Sequence, residues 1–134
     1  MTVVAVVGDG CTTTALGLAA TWQRDESCLL VELDEAGGCL SAWLDLPRSP
    51  GLADIVAGSA TPSWPTIRSA VQTSVSGIDV VVGPTRAVEA AAVVHASEHA
   101  VLPVLAAVES TVVIADGGRL RGTLLIDTGC GTWS

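Results

Sequence analysis

Near the amino terminus, one stretch combines residue types and an order that can hold an anion. Gly8-Asp9-Gly10-Cys11-Thr12-Thr13-Thr14 follows a β-branched run and precedes residues with helical spacing. A glycine-rich turn between a buried strand and a helix gathers several backbone N–H groups at the positive end of the helix dipole. Phosphate is the anion such a turn suits best. Gly8 and Gly10 would also serve a tight strand-to-helix turn with no ligand, and the loop alone does not separate the two readings.

Two further motifs spell chemistry. His95-Ala96-Ser97-Glu98-His99 is H-x-x-E-H, the inverted zincin pattern, in which histidines one helical turn apart share a zinc and the glutamate acts as base. That chemistry requires a third ligand on a downstream helix, which the remaining sequence does not offer. The alternative is a polar, solvated helix end. Asp127-Thr128-Gly129 resembles the aspartic protease triplet, but those enzymes are all-β and need a second carboxylate, so that reading is rejected. The four cysteines (Cys11, Cys28, Cys39 and Cys130) form no C-x-x-C pair and no zinc spacing. Cys28 and Cys39 sit in apolar surroundings, where a reduced thiol behaves as a small hydrophobe. A reducing cytosol fits this pattern best.

These residues need a scaffold, and the sequence outlines one. Thr2 to Val7 reads as a strand buried on both faces, and Thr12 to Gln23 as a helix that Thr12 or a neighbour can cap. Cys28 to Leu33 is a second strand, completing a βαβ unit that favours a parallel sheet. Short helices are expected at Leu40 to Leu44 and Leu52 to Ala57. Pro62-Ser63-Trp64-Pro65 opens a helix running to about Ser74, which Gly77 ends. Ile78 to Val82 is a third strand. Thr85 to Ala96 and Leu102 to Val108 read as helices, and Thr111 to Ala115 as a fourth strand. Leu124 to Ile126 is a short apolar run. The fold class is α/β, with no internal repeat and no disordered linker.

Composition agrees with that outline. The chain has 134 residues, one domain's worth, and 49% are hydrophobic, yet it contains no Phe or Tyr and only four Trp. Val, Leu, Ile and Ala must therefore build the core. Lys is also absent, so every cation is Arg or His. A formal net charge of -8 opposes binding to nucleic-acid backbones or anionic lipid. The amino terminus lacks a basic leader, and no apolar run is expected to span a bilayer, which leaves a cytoplasmic location.

The anion loop resembles the deviant Walker A motif of the MinD/ParA group of P-loop ATPases, in which a glycine run leads into Gly-Lys-Thr-Thr. Gly10 falls on the last glycine, Cys11 on the lysine and Thr12 on the hydroxyl that binds Mg²⁺; Val6 stands where the group carries a second lysine that reaches across a dimer. Further segments are similar in the same order. These are Val31-Glu32-Leu33-Asp34-Glu35-Ala36-Gly37-Gly38, Leu40-Ser41-Ala42-Trp43-Leu44 with Pro50-Gly51-Leu52-Ala53-Asp54-Ile55, and Gly77-Ile78-Asp79-Val80-Val81-Val82-Gly83-Pro84. Within the resemblance, Asp34 takes the place of the carboxylate beside the γ-phosphate. Two residues compete for the Walker B position: Asp116, after Val112 to Ala115, and Asp127 in Leu124-Leu125-Ile126-Asp127-Thr128. Asp116 is preferred because its strand is fuller and a helix precedes it, whereas Asp127 lies near the end of the sequence.

The resemblance implies a single P-loop domain over residues 1–134, a three-layer sandwich with a mainly parallel sheet, shorter than the family's domain. It implies ATP or ADP with Mg²⁺ as cofactor. Gly8, Asp9, Gly10, Cys11, Thr12 and Thr13 would cradle phosphate, Thr12 and Asp116 would serve the metal, and Asp34 would be the catalytic carboxylate. The missing lysine weakens this expectation: a charge-assisted hydrogen bond is worth roughly 1.5–3 kcal/mol, about one to two decades of affinity. Asp9 adds an anion to the loop. Arg119 and Arg121 are candidate substitute cations, although solvated loop arginines are the commoner case. The expected function is a weak or inactive ATPase acting as a spatial or regulatory switch and working as a dimer. The alternative is a non-catalytic interaction domain that keeps the fold without the nucleotide.

Overall fold

The computed structural model describes residues 2–6, 11–22, 27–59, 61–108, 111–117, 126–127 and 132–133. Its central sheet has five strands: β1 (Thr2–Val6), β2 (Ser27–Glu32), β3 (Gln72–Thr73), β4 (Asp79–Val81) and β5 (Thr111–Asp116), in the order β1-β5-β2-β4-β3. All neighbours are parallel except β3, which runs antiparallel to β4. A separate two-stranded antiparallel sheet pairs β6 (Ile126–Asp127) with β7 (Thr132–Trp133).

Among the described residues six helices accompany the sheet: α1 (Cys11–Thr21), α2 (Leu40–Trp43), α3 (Leu52–Gly58), α4 (Trp64–Ser69), α5 (Ala87–Ala100) and α6 (Leu102–Ala107). Side chains alternate across a strand, so a strand covered on both faces must be apolar throughout. Leu29, Val31 and Leu33 pack with Val113 and Ala115 against Ile55 of α3, Ile67 of α4, Val94 of α5 and Leu105 of α6. Leu30, Ile114, Val80 and Val82 project the other way, onto Ala15 of α1 and Leu40 of α2. Two cores sandwiching one sheet make the three-layer α/β architecture that the sequence predicts.

Local chemistry sets the helix starts. The Asp54 carboxylate accepts the Gly51 N–H at 2.8 Å at the head of α3. Ser63 Oγ accepts the Thr66 N–H at the head of α4, with Pro65 in the first turn.

The structure departs from expectation in the segment after α4. The sequence predicts one helix to about Ser74, ended by Gly77, but α4 stops at Ser69 and β3 follows. The Gln72 side chain donates to the carbonyls of Pro47 and Pro50 at 2.9 and 2.8 Å, which holds this segment extended. Ser74 N–H donates to Ile78 O, and Gly77 adopts a φ of 87°, so Gly77 serves a β-hairpin turn rather than a helix end.

Ala87–Ala107 is a 21-residue helical stretch long and apolar enough, by length and composition, to cross a membrane, against the expectation that the chain has no such run. Its apolar residues have another use here. Val93, Val94, Leu102 and Leu105 are buried in the core between sheet and helices, and His95 and His99 lie exposed.

Leu30 is fully buried between β2 and α1, whereas Val75 stands fully exposed in the β3–β4 turn. Leu30→Ala is expected to cost about 2–5 kcal/mol of unfolding free energy. Val75→Ala should fall within about 0.5 kcal/mol of wild type. Urea denaturation of both variants checks the pair.

Candidate functional site

Strand pairing brings two carboxylates together at the carboxyl-terminal edge of the sheet. Asp116, the last residue of β5, is paired in register with Val6 of β1 on one side and Glu32 of β2 on the other. Ligands of open α/β sheets bind at this edge. Both acids are buried, Glu32 at 1% and Asp116 at 0% relative exposure.

A carboxylate taken out of water must find donors. Glu32 finds three. Its Oε2 accepts the N–H groups of Cys39 and Leu40 at 3.0 and 2.9 Å, and its Oε1 accepts the N–H of Gly83 at 2.9 Å. One side chain thereby ties the loop after β2, the start of α2 and the end of β4 to a single point. Burial raises the Glu32 pKa above the usual carboxylate range; the three N–H groups pull it back and the nearby Asp116 adds to the rise.

The surrounding glycines follow from this packing. A Cβ on Gly38 would overlap the Glu32 carboxylate itself. Gly37 adopts a φ of 103°, a left-handed conformation that other residues rarely take, and it packs against the Thr85 carbonyl. The Gly37-Gly38 pair reads as loop punctuation in the sequence; in the structure it makes room for a buried acid.

Cys39, whose N–H is held by Glu32, also carries a thiol that neighbouring groups influence. Its thiol is hydrogen-bonded by the side chain of Thr12, in the first turn of α1. Burial pushes the Cys39 thiol pKa up, and the charges of Glu32, Asp116 and Asp34 push it further, with the Thr12 contact opposing them. The thiol is therefore kept protonated, the opposite of an activated nucleophile. Asp34 is half-buried just beyond β2, and its Oδ1 accepts the Ala36 N–H at 2.9 Å, closing an Asx turn.

Of the residues singled out by sequence, Thr12 bonds the Cys39 thiol, and the charges of Asp34 and Asp116 act on it. Thr13 is exposed in the first turn of α1, and Cys11 is the first residue of that helix. Gly8, Asp9 and Gly10 lie outside the described residues, as do Arg119 and Arg121. Asp127 belongs to β6, in the separate two-stranded sheet rather than beside β1. Glu32 was missed by sequence reasoning. Its signal was a charged residue inside an otherwise apolar strand, Cys28-Leu29-Leu30-Val31-Glu32-Leu33.

Two arginines, Arg48 and Arg86, line a cleft of about 240 Å³ with Pro84, Thr85 and Glu89, entered beside Gly83. A larger cavity of about 490 Å³ lies at the opposite, amino-terminal end of the strands, with Ser27, Asp79, Thr111 and Trp64 in its wall. Cys28 also borders it, its thiol pKa raised by burial and by the Asp79 charge.

The Thr12 hydroxyl and the carboxylates of Asp34 and Asp116 are oxygen donors, the type that hard cations such as Mg²⁺ favour.

The chain is similar in structure to a ParA family ATPase from Chlorobium tepidum TLS, with a TM-score of 0.67 and 23% sequence identity. The match covers 92% of this chain and 53% of that one, so this chain spans about half the neighbour's length. The architecture is accordingly a ParA-like P-loop NTPase fold. No protein-family model and no curated protein sequence matches the chain.

Glu32→Ala would orphan three backbone N–H groups, each at a cost of roughly 1–3 kcal/mol. The expected loss of stability is about 3 kcal/mol or more, measured by chemical denaturation. The pH dependence follows from the direction of the Glu32 shift. A carboxyl pKa raised by folding means the protonated form favours the native state. That stability is complete below the ordinary carboxylate pKa and is lost as pH rises through the raised native value. Glu32→Gln should flatten this part of the stability curve while giving up only one of the three N–H bonds.

Proposed function

We propose that this chain is a ParA-like nucleotide-binding unit that takes ATP or ADP weakly, with Mg²⁺, and works as a regulatory or spatial switch in the cytosol rather than as an efficient ATPase. The observation that supports the reading is the carboxyl-terminal sheet edge, where Asp116 pairs in register with Glu32 and with Val6, the last residue of the strand that precedes the first helix. The ParA-like fold supports it.

In this reading the backbone amides from Gly8 to Thr12 hold phosphate at the amino end of α1. Thr12 and Asp116 would hold Mg²⁺, and Asp34 would lie beside the terminal phosphate. When bound, Mg²⁺ supplies the positive charge that neutralises phosphate oxygens. The chain's own residues orient the phosphates and keep Cys39 as a neutral wall. With no lysine present, hydrolysis is slow, and dimerisation, a ParA-family habit, proceeds without a lysine crossing the interface.

A second reading has its own observation in favour. Glu32, Asp34 and Asp116 crowd one edge of a chain that carries no lysine and a net charge of -8. Without a divalent ion, that field repels phosphate. A non-catalytic protein-interaction domain that keeps the fold and no longer takes nucleotide would show the same features.

A thermal-shift titration separates the two. Nucleotide binding predicts stabilisation by ATP or ADP only when Mg²⁺ is present, and none with EDTA. Thr12→Ala should weaken the response roughly tenfold, the scale of one charge-assisted contact. A flat titration to millimolar nucleotide with Mg²⁺ would sink the nucleotide reading in favour of the interaction domain.

A further inference from the structure

The H-x-x-E-H segment lies on α5, away from the carboxyl-terminal strand edge, and the nucleotide reading leaves it unused. Helix α5 buries Ala90, Val93, Val94 and Ser97, one stripe at helical spacing, with Ser97 Oγ donating to the Val93 carbonyl at 2.7 Å. That stripe fixes the helix against the core and leaves His95 and His99 exposed one turn apart, with Glu98 half-buried between them.

We propose that His95, Glu98 and His99 form a surface site for a first-row divalent transition metal, zinc in the first instance. One ligand atom from each of the three residues lies within 4.8 Å of the other two. The imidazole rings meet edge to face, with centroids 5.4 Å apart. A tetrahedral zinc with bonds of about 2.0–2.1 Å holds its ligand atoms about 3.3 Å apart, so modest side-chain rotations close the site. Because the histidines are exposed, those rotations displace no core packing. Two imidazoles and one carboxylate favour zinc, copper or nickel over Mg²⁺, which prefers oxygen alone.

Two features of the surroundings help. His99 is in the last turn of α5, where the helix dipole favours positive charge. The chain's net charge of -8 attracts cations generally. In this site Glu98 is a ligand and not a base, so no hydrolytic step is involved and no downstream third ligand is needed. A solvent water completes the coordination.

His95 and His99 are the only histidines in the chain, which makes the test specific. In a proton–carbon NMR spectrum of labelled full-length protein, the imidazole Hε1 region holds two signals. Titration with ZnCl₂ should move both together and saturate near one equivalent, whereas MgCl₂ should leave them in place. His95→Ala and His99→Ala should each abolish the tight response of the remaining histidine. Glu98→Gln should weaken it at least about tenfold, the scale on which metal-site partners count. Signals that stay fixed through several equivalents of zinc would overturn the proposal. So would a single histidine that responds with unchanged affinity after the other is removed. All three positions point away from the core stripe, and circular dichroism of each variant verifies the fold.

Discussion

The structure is organised around a carboxylate that folding removes from water. Glu32 ends the second strand at a point where solvent is gone, and the chain answers with three N–H donors drawn from two separate segments. An acid there without those donors would be worse than a leucine. With them, the loop after β2 and the end of β4 are fixed relative to each other, and Gly38 must stay small to admit the carboxylate. The positions of Cys39 and Asp34, and the opening of α2, all follow from that one arrangement.

The same arrangement sets the electrostatics. Glu32 and Asp116 face one another across neighbouring strands, and Asp34 adds its charge close by. Negative potential at the end of a parallel sheet is tolerable where a divalent ion mediates between protein and phosphate. It is a handicap where phosphate must arrive alone. A lysine in the loop would offset part of it, but Cys11 occupies that point in the sequence. The field at this edge therefore makes any approach of phosphate dependent on a counter-charge.

What the sequence disclosed depended on the reach of each signal. The β-branched run in Thr111 to Ala115 and the apolar run in Cys28 to Leu33 carry local periodicity, and both strands appear within a residue of their expected bounds. The preference for Asp116 over Asp127 rested on strand length; β5 lies beside β1 in the central sheet and β6 belongs to the separate pair, which bears on placement and not on metal binding. Glu32 stayed hidden because its meaning comes from Cys39, Leu40 and Gly83, and Gly83 is 51 residues away. A lone acid in a strand looks solvated until its donors are known. Strand β3 was invisible for another reason: two residues are too few to show alternation, and their anchor is a glutamine bonded to distant proline carbonyls.

The order β1-β5-β2-β4-β3 carries a kinetic consequence. Strand β1 pairs with β5, whose residues lie more than a hundred positions later in the chain. Until that pairing forms, the β-branched amino-terminal segment has no native neighbour on that side, and the second strand is likewise half-paired. Closure of the sheet is thus a late, long-range event, governed by the entropy of joining distant segments. Thr2–Val6 thus contributes an apolar, β-branched strand that stays unpaired until the distant segment arrives, an exposed edge open to association with other chains.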